Sequence, residues 1–393
     1  MMTDLRSSLL PVLPDDAATA ALAGRVWRPE LEGPSVVAVR GGDLVDITAA
    51  FPTMRDLCEE ADPAAALRAA AGETVGRLDE VLANTPPDAR DRARPWLLAP
   101  IDLQAIKAAG VTFAVSMLER VIEERARGNP DAAAAIRAEV TRLVGNDLAE
   151  LKPGSAEAAR LKQVLTEQDA WSQYLEVGIG PDAEIFTKAQ PMAAVGTGME
   201  AGIHPGSSWN NPEPEVVLAA ASDGRIVAAT LGNDVNLRDV EGRSALLLGK
   251  AKDNNASCAI GPLLRFFDAG FGLDHVRRMT VSLTVDGEDG FHMQGSSSIS
   301  RISRDPADLV AQMVNAHHRY PDGAVLFLGT MFAPVEDRDA PGKGFTHKTG
   351  DIVTVAAPGL GRLVNRMAPT DRCEAWTFGA GALMRNLARR GMV

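Results

Sequence analysis

The sequence has little cysteine and no run of basic charge. Its three cysteines, Cys58, Cys258 and Cys373, are odd in number and carry no CxxC spacing. That argues against a disulfide framework and against a zinc site, and fits a reducing cytoplasm. Lys plus Arg is 40 against 52 for Asp plus Glu, a formal net charge of -12. An acidic surface repels phosphate backbones, so no nucleic-acid partner is expected. The N-terminus lacks a basic segment followed by an apolar one, so no secretory leader is expected. No apolar run approaches a membrane span, so no membrane partner is expected either. Internal repeats and low-complexity tails are also missing.

What is present is enough chain for two domains: 393 residues, 46% of them hydrophobic. Val36–Val39, Gly41-Gly42 and Leu44–Ile47 read as a small hairpin. Residues 64–83 carry helical spacing. The prolines and charges of Asn84–Pro95 mark a linker. A small N-terminal α/β domain is therefore expected over residues 1–96, and a second domain over 97–393. A helical insertion is expected near 117–175: a helix over 117–127, another opened by Asn129-Pro130 and stopped by Gly145, and a third after Ser155. Beyond about residue 175 short Val/Ile/Thr-rich runs alternate with turns. Strands are expected at 215–221, 225–232, 279–285, 324–330 and 350–357, with one helix from Asp305-Pro306 toward His317. The fold class is α+β.

The most informative stretch runs from Asn211 to Asp234. Asp223-Gly224 between two apolar runs is a hairpin signal. A two-residue turn there pairs Ser222 with Arg225. Counting back, Glu213 falls opposite Asp234 and Glu215 opposite Gly232, which leaves room beside Glu215. Glu213 and Glu215 share one strand face, and Asp234 shares it from across the ladder. Three like charges on one face repel, and a divalent cation offsets that. An all-oxygen set suits Mg²⁺, with Mn²⁺ as a substitute. A solvated acidic edge is the alternative, and register alone leaves the two level.

The ordered motifs Pro212-Glu213-Pro214-Glu215, Gly232-Asn233-Asp234, Gly329-Thr330 and Gly359-Leu360-Gly361-Arg362 resemble the fumarylacetoacetate hydrolase superfamily, over roughly Leu97 to the C-terminus. The resemblance implies a mixed β-roll catalytic domain, and Glu213, Glu215 and Asp234 as Mg²⁺ ligands. It implies a catalytic Lys252, set by its distance from Gly261-Pro262, with Lys250 as competitor. It implies Lys188, Ser116 and Thr330 on the substrate side, Arg238 as a structural or substrate-side arginine, and a homo-oligomer, dimer or tetramer. Hydrolases of the family activate water with a His and a Glu. Here Ser116 stands at the histidine's place, although Glu119 is present. Glu184, just before Phe186-Thr187-Lys188, resembles the branch that dehydrates 2-keto-3-deoxy-pentonates.

That chemistry needs a base at C3 and an acid at the C4 hydroxyl of a small 2-keto-3-deoxy sugar acid. Lys252 as a neutral amine is the expected base and Glu184 the expected acid, with exchange of the two roles open. The expected product is 2,5-dioxopentanoate. Hydrolysis of an acylpyruvate through Glu119 is the alternative. If His204 or His347 stands beside Glu119, that alternative leads. Cys258 is expected to be an inert buried thiol.

Overall fold

The hairpin that carries the carboxylates lies at the centre of the molecule. In the computed structural model, which describes residues 5–127, 151–167, 171–334, 336–341 and 344–392, strand Pro214–Ala220 pairs antiparallel with Ile226–Asp234. Glu215 lies opposite Gly232, and the Asp234 N–H donates to the Glu213 carbonyl at 3.0 Å. The expected register holds at this end, although the turn differs from the expected one. Ala221 N–H donates to Arg225 and Ala220 lies opposite Ile226, so the loop is Ser222-Asp223-Gly224. Gly224 supplies its positive φ of 90°. The longer loop slips the register by one residue, and a bulge beside Ala219/Ala220 restores it.

Around this hairpin grows an 11-stranded sheet. Its path is Glu73–Arg77, Asp43–Asp46, Gly33–Arg40, Leu22–Arg28, Cys258–Phe266, Ile226–Asp234, Pro214–Ala220, Ala324–Phe327, Ala105–Gly110, Glu184–Ala189, with Trp96–Leu98 pairing Leu22–Arg28 off the path. A five-stranded sheet runs His292–Ser298, Thr280–Asp286, Ile352–Ala357, Gly361–Pro369, Glu200–Ile203. Each sheet holds one parallel pair among antiparallel ones, which makes the architecture mixed.

The central hairpin is buried on both faces. Val216, Leu218 and Leu231 pack toward Val281, Leu283, Val353 and Val355 of the second sheet. Val217, Val227 and Phe327 pack toward Val36, Met54 and Leu57. Double burial explains why the two strands read as continuous apolar runs. Each such side chain contributes roughly 1.5–3 kcal/mol on leaving water, so a strongly stabilised frame holds the acidic end.

Three expectations about the first part of the chain need correction. Residues 64–83 are not one helix: Pro63–Ala69 and Leu78–Ala83 flank strand Glu73–Arg77, which pairs with Asp43–Asp46. Propensity for helix loses there to an open sheet edge. The Asn84–Pro95 stretch is clasped rather than loose, because Asn84 Nδ2 donates to the carbonyls of Asp91, Arg94 and Pro95. Residue 96 opens strand Trp96–Leu98, which pairs with Leu22–Arg28, and Leu22 and Ala23 pair in turn with Arg265 and Leu264, so one sheet spans the expected boundary. The Gly33–Arg40 and Asp43–Asp46 hairpin forms as expected, with Gly41 and Gly42 both at positive φ.

In the insertion, helices Ala114–Ala126, Ala156–Glu167 and Gln173–Ile179 share a core with Val111 and Trp209. The helix expected from Asn129-Pro130 to Val144 lies outside the described residues. Pro306–Met313 is the helix expected after Asp305, whose carboxylate caps the Ala307 N–H at 2.8 Å.

Candidate active site

At the open end of the hairpin, Glu213, Glu215 and Asp234 are all buried, with ligand oxygens within 4.8 Å of one another. Basic groups converge on them. Lys252, the last residue of the short Leu248–Lys252 helix, reaches Glu213 Oε2 at 2.5 Å and Asp234 Oδ2 at 3.1 Å. Lys188 Nζ lies 2.9 Å from Asp234 Oδ1. Arg120, from the Ala114–Ala126 helix, donates to Glu213 Oε1 and lies 2.8 Å from Glu241 Oε2. Glu215 Oε2 accepts the Gly329 N–H at 2.6 Å.

Two glycines shape the walls. Gly329 sits at φ +87°, and a Cβ there would stand 2.0 Å from Thr112 Oγ1. Only glycine lets the backbone turn its N–H onto Glu215 at that point. Gly110 lies directly opposite Glu184 in the ladder, and a Cβ on it would fall 2.0 Å from Glu184 Oε2. The glycine therefore gives the Glu184 carboxyl its place across the strand. The pocket so formed is lined by Ser116, Arg120, Glu184, Glu213, Glu215, Asp234, Glu241, Lys252 and Thr330. The expected room over Gly232 is filled, because the Phe327 ring occupies it.

These surroundings move the titrations apart. Burial, with Glu241 nearby, pushes the Glu184 carboxyl up to about 7, despite the opposing pull of Arg120 and Lys252. Burial and the neighbouring Asp234 and Glu213 charges push Glu215 well above the ordinary glutamate range. Asp234 is held low: burial works against its charge, but Lys188 and Lys252 outweigh it. Burial alone would lower Lys252, yet Asp234 and Glu213 overcome it and hold the ammonium form. The neutral amine expected of Lys252 is thus not what this arrangement favours.

Of the residues expected from sequence, Ser116, Thr330, Glu184, Lys252 and the carboxylate triad meet in one pocket. Lys250 does not; it is exposed on the far side of its helix turn. Two more of the expected residues stand outside the pocket lining. Lys188 is fully buried behind Asp234, held by the Val235 and Lys252 carbonyls and Ser257 Oγ, and does not line the pocket. Arg238 is turned to Glu119 at 3.2 Å and lies over the Trp209 ring at 4.4 Å. Neither expected alternative histidine stands beside Glu119: His204 Nδ1 accepts the Gly206 N–H, and His347 pairs with Asp351. Burial pushes the Cys258 thiol up to about 12, as suits an inert core group.

Sequence reasoning missed Arg120 and Glu241. Arg120 lies one turn after Ser116, so the i, i+4 spacing on one helix face was its available signal. Glu241 ends the Arg238–Glu241 helix and had none.

Residues 209–368 match the family model described as fumarylacetoacetate (FAA) hydrolase C-terminal. The chain is 29% identical over 181 residues to a 2-dehydro-3-deoxy-D-arabinonate dehydratase of Saccharolobus solfataricus, covering 46% of this chain and 57% of that one. It is 29% identical over 192 residues to a probable 2-keto-3-deoxyxylonate dehydratase of Haloferax volcanii, covering 49% and 62%. The chain thus spans less than two thirds of the length of the curated relatives it matches. Among solved structures, an apo 2-keto-3-deoxy-D-arabinonate dehydratase superposes with a TM-score of 0.61 at 20% identity, over 88% of this chain and 99% of that one. The same enzyme complexed with magnesium and 2,5-dioxopentanoate superposes at 0.59 and 19% identity, over 88% and 99%. At such identity these two likenesses speak for the fold. Residues 209–368, which include the carboxylate hairpin, thus resemble a fumarylacetoacetate hydrolase C-terminal domain.

Proposed function

We propose that this protein dehydrates a 2-keto-3-deoxy-pentonate of the xylonate or arabinonate type to 2,5-dioxopentanoate, with Mg²⁺ or Mn²⁺, in oxidative pentose degradation. The observation that carries the proposal is the pocket itself. It joins a carboxyl poised near neutrality, Glu184, to a lysine and a carboxylate triad, with no histidine among its lining residues. The relatives' names, and the neighbour bound to magnesium and 2,5-dioxopentanoate, support the same chemistry.

The triad fits a hard cation. Its oxygens are buried, close together and mutually repelling, and no softer ligand joins them. Glu213, Glu215 and Asp234 would hold the ion, with Lys188 orienting Asp234 from behind. When bound, such an ion supplies Lewis-acid polarisation of a keto acid, which acidifies the C3 protons.

The chain's own groups then account for the loss of water. Glu184, its carboxyl raised to about 7 by burial, takes a proton from C3 in its ionised form. Lys252, held as an ammonium, gives its proton to the C4 hydroxyl, which leaves as water. This exchanges the roles expected from sequence; the ion pairs of Lys252 with Glu213 and Asp234 support that reading. Moving the resulting double bond to C4–C5 gives an enol whose ketonisation places the aldehyde on C5. Thr330 and Ser116, both lining the pocket, offer hydroxyls to the substrate's oxygens.

The direct test incubates the protein and Mg²⁺ with 2-keto-3-deoxy-arabinonate or 2-keto-3-deoxy-xylonate. Appearance of a C5 aldehyde is expected. Pyruvate released from an acylpyruvate, with no aldehyde from either sugar acid, would put the hydrolase in its place. We also propose a cytoplasmic location, from the sparse cysteines without disulfide spacing, and a homodimer or tetramer, from the family resemblance; light scattering on the purified protein reads its mass.

A further inference from the structure

Both oxygens of Glu213 are already claimed by cations, Oε2 by Lys252 and Oε1 by Arg120. Asp234 is claimed likewise by Lys188 and Lys252. The basic groups differ in their freedom to yield. Lys188 is fully buried and tied to three further oxygens. Lys252 belongs to the short helix beneath the triad and touches two of its members. Arg120 arrives from a separate helix, its side chain is 13% exposed, and a second carboxylate, Glu241, holds it at 2.8 Å. It is the group with somewhere else to go.

We infer that Arg120 is a resident counter-cation of the triad. It occupies Glu213 in the metal-free protein, surrenders that oxygen to the incoming divalent ion, and swings on Glu241 toward the substrate's outer hydroxyls. This rests on the triad taking a divalent cation. The swing is short, since Glu241 and Ser116 already line the same pocket as Arg120. A guanidinium kept on one carboxylate retains N–H donors for a polyhydroxy acid, which a lysine at the same point offers less well. The helix thus presents Ser116 and Arg120, one turn apart, to the substrate end away from the keto acid.

The sign of the effect on metal affinity separates this role from simple support of Glu213. A supporting arginine, once removed, weakens Mg²⁺ binding. A competing one, once removed, strengthens it. Calorimetric titration of the substrate-free protein with Mg²⁺ is therefore run on the wild type, Arg120→Gln, Arg120→Lys and Glu241→Gln. Arg120→Gln should bind Mg²⁺ about fivefold tighter, the scale of one partly exposed ion pair that no longer has to be broken. Glu241→Gln should bind it several-fold more weakly, because Arg120 loses its other seat. In turnover, Arg120→Gln and Arg120→Lys should raise KM for the keto acid by about tenfold or more, with a smaller change in kcat. Thermal melts confirm that each variant is folded, and Arg120→Met serves if Arg120→Gln is not. Equal or weaker Mg²⁺ binding in the folded Arg120→Gln or Arg120→Met protein overturns the exchange while leaving the metal site intact. A wild type that takes up no Mg²⁺ overturns both.

Discussion

Two concavities of this molecule differ in almost every respect. The larger, a cavity of about 560 Å³, lies between Trp27, Trp96, Trp376, Phe378 and the Val195-Gly196 turn. Its aromatic rings satisfy one another: Trp27 stacks on Trp96 at 5.7 Å and meets the edge of Phe378 at 5.0 Å. Arg90 caps Trp96 at 4.7 Å and is itself paired with Glu374 at 2.8 Å. The smaller pocket has little open space and crowds like charges together. Size and apolar lining alone would select the first. Convergence of buried ionisable groups whose titrations are driven apart selects the second. The comparison teaches that chemistry resides where the protein sustains an electrostatic cost, and not where it leaves the most room.

The sharpest way to break that comparison is to strip the triad. Exhaustive chelation, or Glu215→Gln or Asp234→Asn, should take dehydration to background. Mg²⁺ should restore the chelated wild type and not the variants. Full activity after chelation would remove the cation from the chemistry.

Next in size are Glu184→Gln and Lys252→Met, each expected to lower kcat by about 10²–10⁴-fold, the contribution of a positioned acid or base. The pH profile tells their roles apart. Glu184 is raised to about 7, so if it acts as the base, kcat/KM rises as pH climbs through about 7. If it acts as the acid, kcat/KM falls over the same range. The same shift bears on stability. A carboxyl whose folded pKa is raised supports the fold fully below the ordinary glutamate range. That support is lost as pH rises through about 7. A melting-temperature series should show this decline in the metal-free wild type, and Glu184→Gln should flatten it.

A smaller effect is expected of Gly110→Ala. The added methyl claims the space of Glu184 Oε2 and pushes the carboxyl aside. Turnover should fall by about 10²-fold, as for a misplaced catalytic group. Mg²⁺ affinity should hardly change, because the three atoms nearest the added Cβ all belong to Glu184. The smallest effect belongs to the aromatic cavity. Trp376 is 45% exposed, and Trp376→Ala should leave kcat/KM within about twofold of wild type and shift stability by only about 0.5 kcal/mol. A collapse of turnover in that variant would mean that the larger cavity takes part after all.

Legibility from sequence follows the range of the forces involved. Glu213 opposite Asp234 was readable because ladder pairing is a counting rule, and it survived only because a longer loop and a bulge cancel. The buried placement of the triad was not readable: Arg120, Lys188, Lys252 and Gly329 reach it from separate parts of the chain. Lys188 was expected against the substrate because motif order does not say on which side of a carboxylate a cation stands. Arg120 looked like one more charge on an amphipathic helix until that helix was laid over the pocket. Residues 64–83 read as helical, and only the open edge of a neighbouring strand makes Glu73–Arg77 extended.

The pairing of Leu22–Arg28 with Cys258–Phe266 has a consequence for what the first ninety-odd residues are for. Cys258–Phe266 is itself hydrogen-bonded to the strand that ends in Asp234. Without residues 1–96, its outer row of N–H and C=O groups would face water one strand away from the candidate site. The apolar surface now covered by Val36, Met54 and Leu57 would be bare beside it. An open, flat, apolar strand edge invites pairing with other chains. The N-terminal segment thus acts as a built-in blocking strand. A chain begun at Leu97 is expected to self-associate on expression, and the same segment supplied in trans should reduce that association.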